Sequence, residues 1–256
     1  MLLTAAAAVF GSTSAFATQP TYTDEDALLG FRVLSGTGSG FEGIIDLGPV
    51  SQFNHTFTLS LGNIGSFMSS NFGSDWFTRL DTVQTAKTAI QWAVVATDNS
   101  TGFTNDLWST RNPSVRSGPW NSSFDQSQAS NDINSVGSQY ANASNSIASG
   151  TTSAVKESSS GANTWTSYQP GGGHGSISFN YFNPTNEGNT NTVLAFDFVP
   201  QGSTNPGTAL GTFSWAADGT LAFTVVPEPS TYAMIGSGGV LLGALTFLRR
   251  RRAARV

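Results

Sequence analysis

Short strand-like runs recur along most of the chain, and they constrain the fold more than any other feature. Each run is apolar or alternates apolar with polar residues, and each is bounded by Gly, Pro, Asn or Ser. This pattern is typical of half-buried strands. It predicts a mainly β fold, either an antiparallel β-sandwich or a jelly-roll-like pair of sheets. The predicted strands are 27–35, 41–47, 55–61, 90–97, 176–182, 193–199, 210–216 and 220–226.

The last two predicted strands form a hairpin whose register depends on the length of its loop. A three-residue loop at 217–219 pairs Trp215 with Leu221 and Phe213 with Phe223. A two-residue loop would instead place these large side chains opposite small or polar ones. We therefore predict the three-residue loop, because it gathers the large apolar side chains on one face. Its glycine takes the left-handed position of a type I turn with a G1 bulge.

Two stretches carry helical periodicity. Residues 64–72 predict a short amphipathic helix that covers one open end of the sheets. A longer stripe lies in a Ser- and Asn-rich insertion at about 121–163, with a candidate capping box at Ser122 and Asp125. We predict that this helix packs on the sheet, with self-association as the alternative, and that 149–163 is a loop. The stripe consists of Ala129, Ile133, Val136, Tyr140, Ala143 and Ile147.

The body of the chain is acidic and contains no cysteine. Residues 18–229 hold six Lys or Arg against sixteen Asp or Glu, a net charge of −10. Such a body repels phosphate backbones, so we expect no nucleic-acid partner. The absence of cysteine excludes thiol catalysis, zinc–thiolate sites and disulfides. The length between the two ends predicts one exported domain at 18–226.

The first seventeen residues have the pattern of a secretory signal peptide. An apolar run is followed by small residues, and Ala15 and Ala17 form the A-x-A site that signal peptidase reads. We therefore expect export by the Sec route, with a buried N-terminal helix as the alternative. No Lys or Arg opens the segment, which leads us to expect a start upstream of Met1.

The C-terminal residues have the pattern of a membrane span followed by a positively charged stop-transfer cluster. Residues 232–248 carry no charge and would extend about 26 Å as a helix, slightly less than the hydrocarbon core of a bilayer. A basic cluster after the span holds this end in the cytoplasm and places the body outside. We predict a transmembrane helix at 232–248, with these stop-transfer residues: Arg249, Arg250, Arg251 and Arg252.

Pro227, Glu228 and Pro229 precede this span, and the three parts in this order resemble the PEP-CTERM sorting signal of exported bacterial proteins. The resemblance covers 227–256. It implies recognition by exosortase, a membrane protein with a cysteine-protease-like site, and cleavage near the motif. The prolines agree, because they forbid helix and sheet pairing and leave an extended segment. A plain linker before a permanent anchor is the alternative.

The resemblance also gives the expected role. It implies delivery to the cell surface or to an exopolysaccharide-rich matrix, after a transient stay in the membrane. Stretches such as DALLGFRV and GIIDLG resemble a recurring architecture among PEP-CTERM proteins, which brings no catalytic residues. We therefore expect a cell-surface or matrix-associated structural protein.

The body shows no recognisable catalytic motif. It has two histidines, His55 in a strand-like run and His174 among glycines, and no G-x-S-x-G elbow. We expect no enzyme activity and no cofactor, with a glycan hydrolase as a distant alternative. A hydrolase would need two carboxylates at a set separation, which a sequence does not rank. The candidates are Asp24, Glu42, Glu187 and Asp197.

Two binding hypotheses remain open. Asp98, Ser100 and Asp106 offer oxygen ligands for calcium, although turn chemistry explains them equally well. Aromatic side chains in loop-like stretches can stack on sugar rings, which makes a carbohydrate-binding module or adhesin for exopolysaccharide the main alternative to a structural protein. Core packing is the competing role of these aromatics. They are Trp108, Trp120, Trp165 and Tyr168.

Overall fold

A computed structural model describes residues 20–54, 58–80, 90–99, 105–111, 113, 123–143, 146–149, 152–168, 192–202 and 207–226. Several predicted features lie outside these residues: the signal peptide at 1–17 with Ala15 and Ala17, the sorting segment at 227–256 with its span at 232–248, the strand at 176–182, and His55, Ser100, Trp120, Ser122, His174 and Glu187. Within the described residues, no helix combines the length and apolar character needed to cross a bilayer.

The described residues contain ten strands and three α-helices. The strands are β1 Asp26–Val33, β2 Phe41–Pro49, β3 Thr58–Asn63, β4 Ile90–Asp98, β5 Asp106–Arg111, β6 Ser146–Ser149, β7 Thr152–Ser158, β8 Val193–Val199, β9 Thr208–Trp215 and β10 Thr220–Val225. The helices are α1 Gly65–Phe72, α2 Trp76–Leu80 and α3 Ser123–Ala141, and short 3-10 turns occupy Val50–Asn54 and Thr166–Tyr168.

The strands form one antiparallel sheet in the order β3-β10-β9-β8-β5-β4-β1-β2-β7-β6. The mainly β prediction is confirmed, but the expected pair of sheets is replaced by a single curled one. β3 at one side approaches β7 at the other. Strand twist and bulges bend a long sheet, and the pairings of β1, β8 and β10 each contain a register shift. A curled sheet encloses a core without a second layer.

The inner face of the curled sheet holds the larger, aromatic-rich core. Alternate residues of its strands point inward, and their rings pack edge to face, as Phe53 does with Phe213 and Phe223 at centroid distances of 5.3 and 4.8 Å. The predicted short helix is confirmed as α1, which adds buried Phe67 and Phe72 to this core. α2, which was not predicted, contributes buried residues beside it.

The outer face of the sheet carries α3 and a second core. Four residues of the predicted stripe, Ala129, Ile133, Val136 and Tyr140, are buried in it, so the prediction of a helix packed on the sheet is confirmed. Two details were wrong. The helix ends at Ala141 and Ile147 belongs to β6, whereas 152–158, expected as a loop, forms β7. Both short strands are too polar to give a clear strand pattern, and pairing of β7 with β2 stabilises them.

The register predicted for the last hairpin is confirmed. β9 and β10 pair Trp215 with Leu221 and Phe213 with Phe223. Gly219 has a φ of 91°, the left-handed conformation that its position in the loop requires. The other predicted strands within the described residues agree with β1, β2, β3, β4 and β8 to within a few residues, whereas β5 was missed.

Candidate functional site

The predicted sorting segment leaves the body directly from a strand held on both sides. β10 lies between β3 and β9, and its last residue, Val225, pairs with Gly211. The backbone N–H of Val226 still donates to the Leu210 carbonyl at 2.9 Å. Pro227 follows and has no N–H, so the ladder cannot continue through it. The predicted recognition residues therefore begin one position after Val226, the last residue of the described chain that is hydrogen-bonded to the sheet.

The end of the sheet from which this segment leaves is rich in carboxylates. Asp98 and Asp106 face each other at the ends of β4 and β5, and Asp24 accepts the Asn99 backbone N–H at 2.9 Å. Burial raises the pKa of Asp24, and it raises the pKa of Asp46 to about 6. Within the described ranges, no group of three or more metal-ligating side chains is close enough to hold an ion. The calcium site stays a prediction, because it includes Ser100.

Two of the aromatic residues proposed to contact glycans are buried. Trp165 is 0% exposed and Tyr168 is 4% exposed, both in the outer core. Of the two roles considered for these aromatics, Trp165 and Tyr168 have core packing. Gly30 leaves room for the Trp165 indole on the sheet surface, and a Cβ there would overlap it. Trp108 is half-buried and packs on Phe198, with ring centroids 5.0 Å apart. Of the aromatic set, only Trp108 is more than a few per cent exposed within the described part of the chain.

A buried carboxylate holds the turn that carries Trp165. Glu42 on β2 is 0% exposed, and its two carboxylate oxygens accept the backbone N–H groups of Trp165 and Thr166 at 2.5 and 2.8 Å. These bonds join residues more than 120 positions apart. In the sequence Glu42 is only one of four unranked carboxylates, and no local pattern around it indicates this contact.

A second carboxyl lies opposite the first. Glu157 on β7 is the cross-strand neighbour of Glu42, and its Oε2 accepts the Gln139 amide at 3.2 Å. The pKa of Glu42 is raised to about 8, mainly by burial; hydrogen bonds from Thr166 and Trp165 oppose the rise, and the charge of Glu157 adds to it. Burial also raises the pKa of Glu157. At neutral pH the Glu42 carboxyl is therefore mainly protonated.

The contacts of this pair differ from those of a glycosidase pair. Catalytic carboxyls flank a sugar from opposite sides, about 5 Å or more apart. Glu42 and Glu157 instead lie side by side on adjacent strands, and Glu42 is fully buried under the 164–168 turn. Another unranked candidate, Asp197, is also 0% exposed and forms an ion pair with Arg111 at 2.6 Å. In both places the carboxylates join parts of the fold.

An open groove of about 470 Å³ runs along the solvent side of α3. We call it the amide groove, because only amide and hydroxyl side chains line it. Asn99 at the end of β4 and Asn163 before the 3-10 turn border the groove. The residues from α3 and the turn that follows it are Asn131, Asn134, Ser135, Ser138, Gln139 and Asn142.

Comparison with known proteins identifies the end of the chain. A protein-family model described as a PEP-CTERM protein-sorting motif matches residues 225–252, so the match begins at the last residue of β10. This motif is a sorting signal recognised by exosortase, and it implies export with a membrane-associated sorting step. No curated protein matches the chain, and no solved structure matches it.

Proposed function

Because this chain is a PEP-CTERM domain-containing protein, we propose that its body acts as a structural protein at the cell surface or in the extracellular matrix. The Sec route exports it and signal peptidase removes 1–17. The span at 232–248 then holds the body at the outer side of the membrane, with Arg249 to Arg252 in the cytoplasm. Exosortase recognises Pro227, Glu228 and Pro229 and releases the body.

The direct junction between sheet and motif is the observation that carries this proposal. A protease needs an extended substrate segment, and Val226 is still bonded to β9. A segment free of the sheet can therefore start no earlier than Pro227, and the motif occupies positions 227–229. Cleavage after Val226 releases the whole sheet, whereas cleavage before Val225 would remove part of β10 from between its two neighbours.

The short connection also fixes where the body sits before release. Five residues, 227–231, separate Val226 from Tyr232, the first residue of the predicted span, so the connection has six Cα–Cα steps. Fully extended, they reach about 20 Å. The end of the sheet that carries the carboxylates therefore stays close to the bilayer until the motif is cut, and exosortase acts in the gap between them.

Buried ionisable groups that join parts of the fold support the structural role. Glu42 fixes the 164–168 turn, and the Arg111–Asp197 pair links β5 to β8. Arg79, 5% exposed, donates to the backbone carbonyls of Ser35, Thr37 and Phe72 at 2.7 to 3.0 Å. Each of these groups fixes a loop or a strand pair.

The proposal is tested by changing the motif in the native host and following the protein by cell fractionation. Pro227→Ala combined with Pro229→Ala, and separately Glu228→Gln, should leave the protein in the membrane fraction with its C-terminal tail attached. Pro200→Ala, at an exposed proline of the body, is the matched control and should be released like the unchanged protein. Release of the motif variants at the unchanged rate would contradict the proposal.

A further inference from the structure

The amide groove on α3 combines hydrogen-bonding capacity with the absence of charge. Every side chain that lines it ends in an amide or a hydroxyl group. An ionic ligand would find no opposite charge among these residues, and an apolar ligand would leave their polar groups without partners. A neutral ligand with many hydroxyl groups suits them, because amides can donate and accept at once.

Two asparagines of the groove are held in place by tyrosines. The Tyr22 hydroxyl donates to Asn134 Oδ1 at 2.7 Å, and the Tyr168 hydroxyl donates to Asn163 Oδ1 at 3.0 Å. Burial raises the pKa of both tyrosines, so both hydroxyls remain protonated donors. Since each amide oxygen is occupied, the orientation of each amide is fixed. Within the described residues, neither Nδ2 group donates to a protein acceptor.

The tyrosines themselves are anchored by the fold. Tyr168 is buried on the outer core, and Tyr22 packs so closely over Gly137 of α3 that a Cβ there would overlap its ring. Preorganised polar groups lose less freedom when a ligand binds. Amide groups whose orientation is fixed by tyrosine hydroxyls are therefore better suited to ligand binding than freely rotating ones.

The sequence of α3 favours hydrogen bonding over helix stability on its solvent side. Lys, Arg and Glu suit an exposed helix face, and Asn and Ser have lower helix propensity. α3 contains no Lys, Arg or Glu. Asn and Ser instead occupy most of the positions at which it borders the groove. The row of polar side chains from Asn131 to Asn142 extends about 16 Å, which is the length of a short oligosaccharide.

We propose that the amide groove binds neutral oligosaccharides, with Asn134 and Asn163 donating hydrogen bonds to sugar hydroxyl groups. This inference goes beyond the sorting role, which does not depend on it. It moves glycan recognition from the aromatic residues that the sequence suggested to the polar face of α3. Tyr168 still contributes, through its hydroxyl group and the orientation of Asn163.

The test is a binding titration of the purified full-length protein with neutral hexasaccharides of glucose, mannose, galactose and N-acetylglucosamine, with oligogalacturonate of equal length as the charged probe. We expect saturable binding of at least one neutral probe, unchanged by salt because no charge is involved. Loss of one hydrogen bond should weaken that binding about fivefold in Asn134→Ala and in Asn163→Ala. Gln201→Ala, which removes an exposed amide outside the groove, should bind normally.

A second variant separates recognition from folding. Tyr22→Phe removes only the hydroxyl that orients Asn134. As a single substitution it should weaken binding, but combined with Asn134→Ala it should cause no further loss of affinity. Circular dichroism confirms that each variant is folded. The proposal is overturned if no neutral probe binds at millimolar concentration, if the charged probe binds more tightly, or if both asparagine variants bind as the unchanged protein does.

Discussion

Replacing Glu42 by glutamine should flatten the pH dependence of stability. The folded protein keeps a proton on this carboxyl up to a pKa of about 8, whereas the ordinary value is 4.5. The stability that this group contributes is therefore fully present below pH 4.5 and is lost as the pH rises to about 8. At about 1.4 kcal/mol per pH unit, the loss amounts to roughly 5 kcal/mol at most.

The substitution has an opposite effect at the acidic end. An amide at position 42 offers one acceptor oxygen, so one of the two backbone N–H groups of Trp165 and Thr166 loses its partner. A buried donor without a partner costs about 1–3 kcal/mol. We therefore expect Glu42→Gln to be less stable than the unchanged protein at pH 5. By pH 9 the difference should vanish or change sign, because only the unchanged protein then carries a buried charge beside Glu157.

Urea unfolding followed by tryptophan fluorescence, repeated from pH 5 to pH 9, measures this difference. Asp75→Asn is the control, because that carboxylate is 65% exposed and forms only a 3.9 Å ion pair with Arg79. Its curve should run parallel to that of the unchanged protein and within about 0.5 kcal/mol of it. Parallel curves for Glu42→Gln as well would refute the assignment of a raised pKa to this carboxyl.

Three further substitutions test the packing of the fold, each by the same urea unfolding. Gly30→Ala introduces a Cβ that overlaps the Trp165 indole and should lower the free energy of unfolding by about 3 kcal/mol. A decrease below about 1 kcal/mol would contradict the packing of Trp165 on Gly30. Gly219→Ala should cost at least 1 kcal/mol more than Gly202→Ala, since both glycines have positive φ but only the first lies against another backbone. Arg111→Met should cost about 3–5 kcal/mol by removing the cation beside the buried Asp197 carboxylate, and adding Asp197→Asn should restore most of that loss.

Local sequence determines the parts of the fold that were predicted correctly. The loop length and the glycine at 219 decide the register of the last hairpin, because only one register places Trp215 beside Leu221. The apolar stripe of α3 likewise shows which face of the helix packs on the sheet. These features depend on residues within a few turns of one another, so periodicity and turn chemistry are sufficient to predict them.

The features that the sequence did not reveal depend on contacts between distant residues. Trp165 is buried because Gly30 leaves space for its indole and Glu42 accepts its backbone N–H. Both residues lie more than 120 positions earlier in the chain. β7 forms because β2 offers a partner edge. The amide groove needs Asn163 to approach α3. The exposure of an aromatic in a loop-like stretch therefore cannot be judged from that stretch alone.

The intact mass of the protein, measured from the membrane and the extracellular fractions of its native host, tests the central claim most directly. We expect a released form that begins near Thr18, retains all of β10 together with Val226, and lacks Arg249 to Arg252. Its C-terminus should lie between Val226 and Tyr232. A protein found only in the membrane fraction with the arginine cluster attached would contradict the account, as would a released form that ends inside β10.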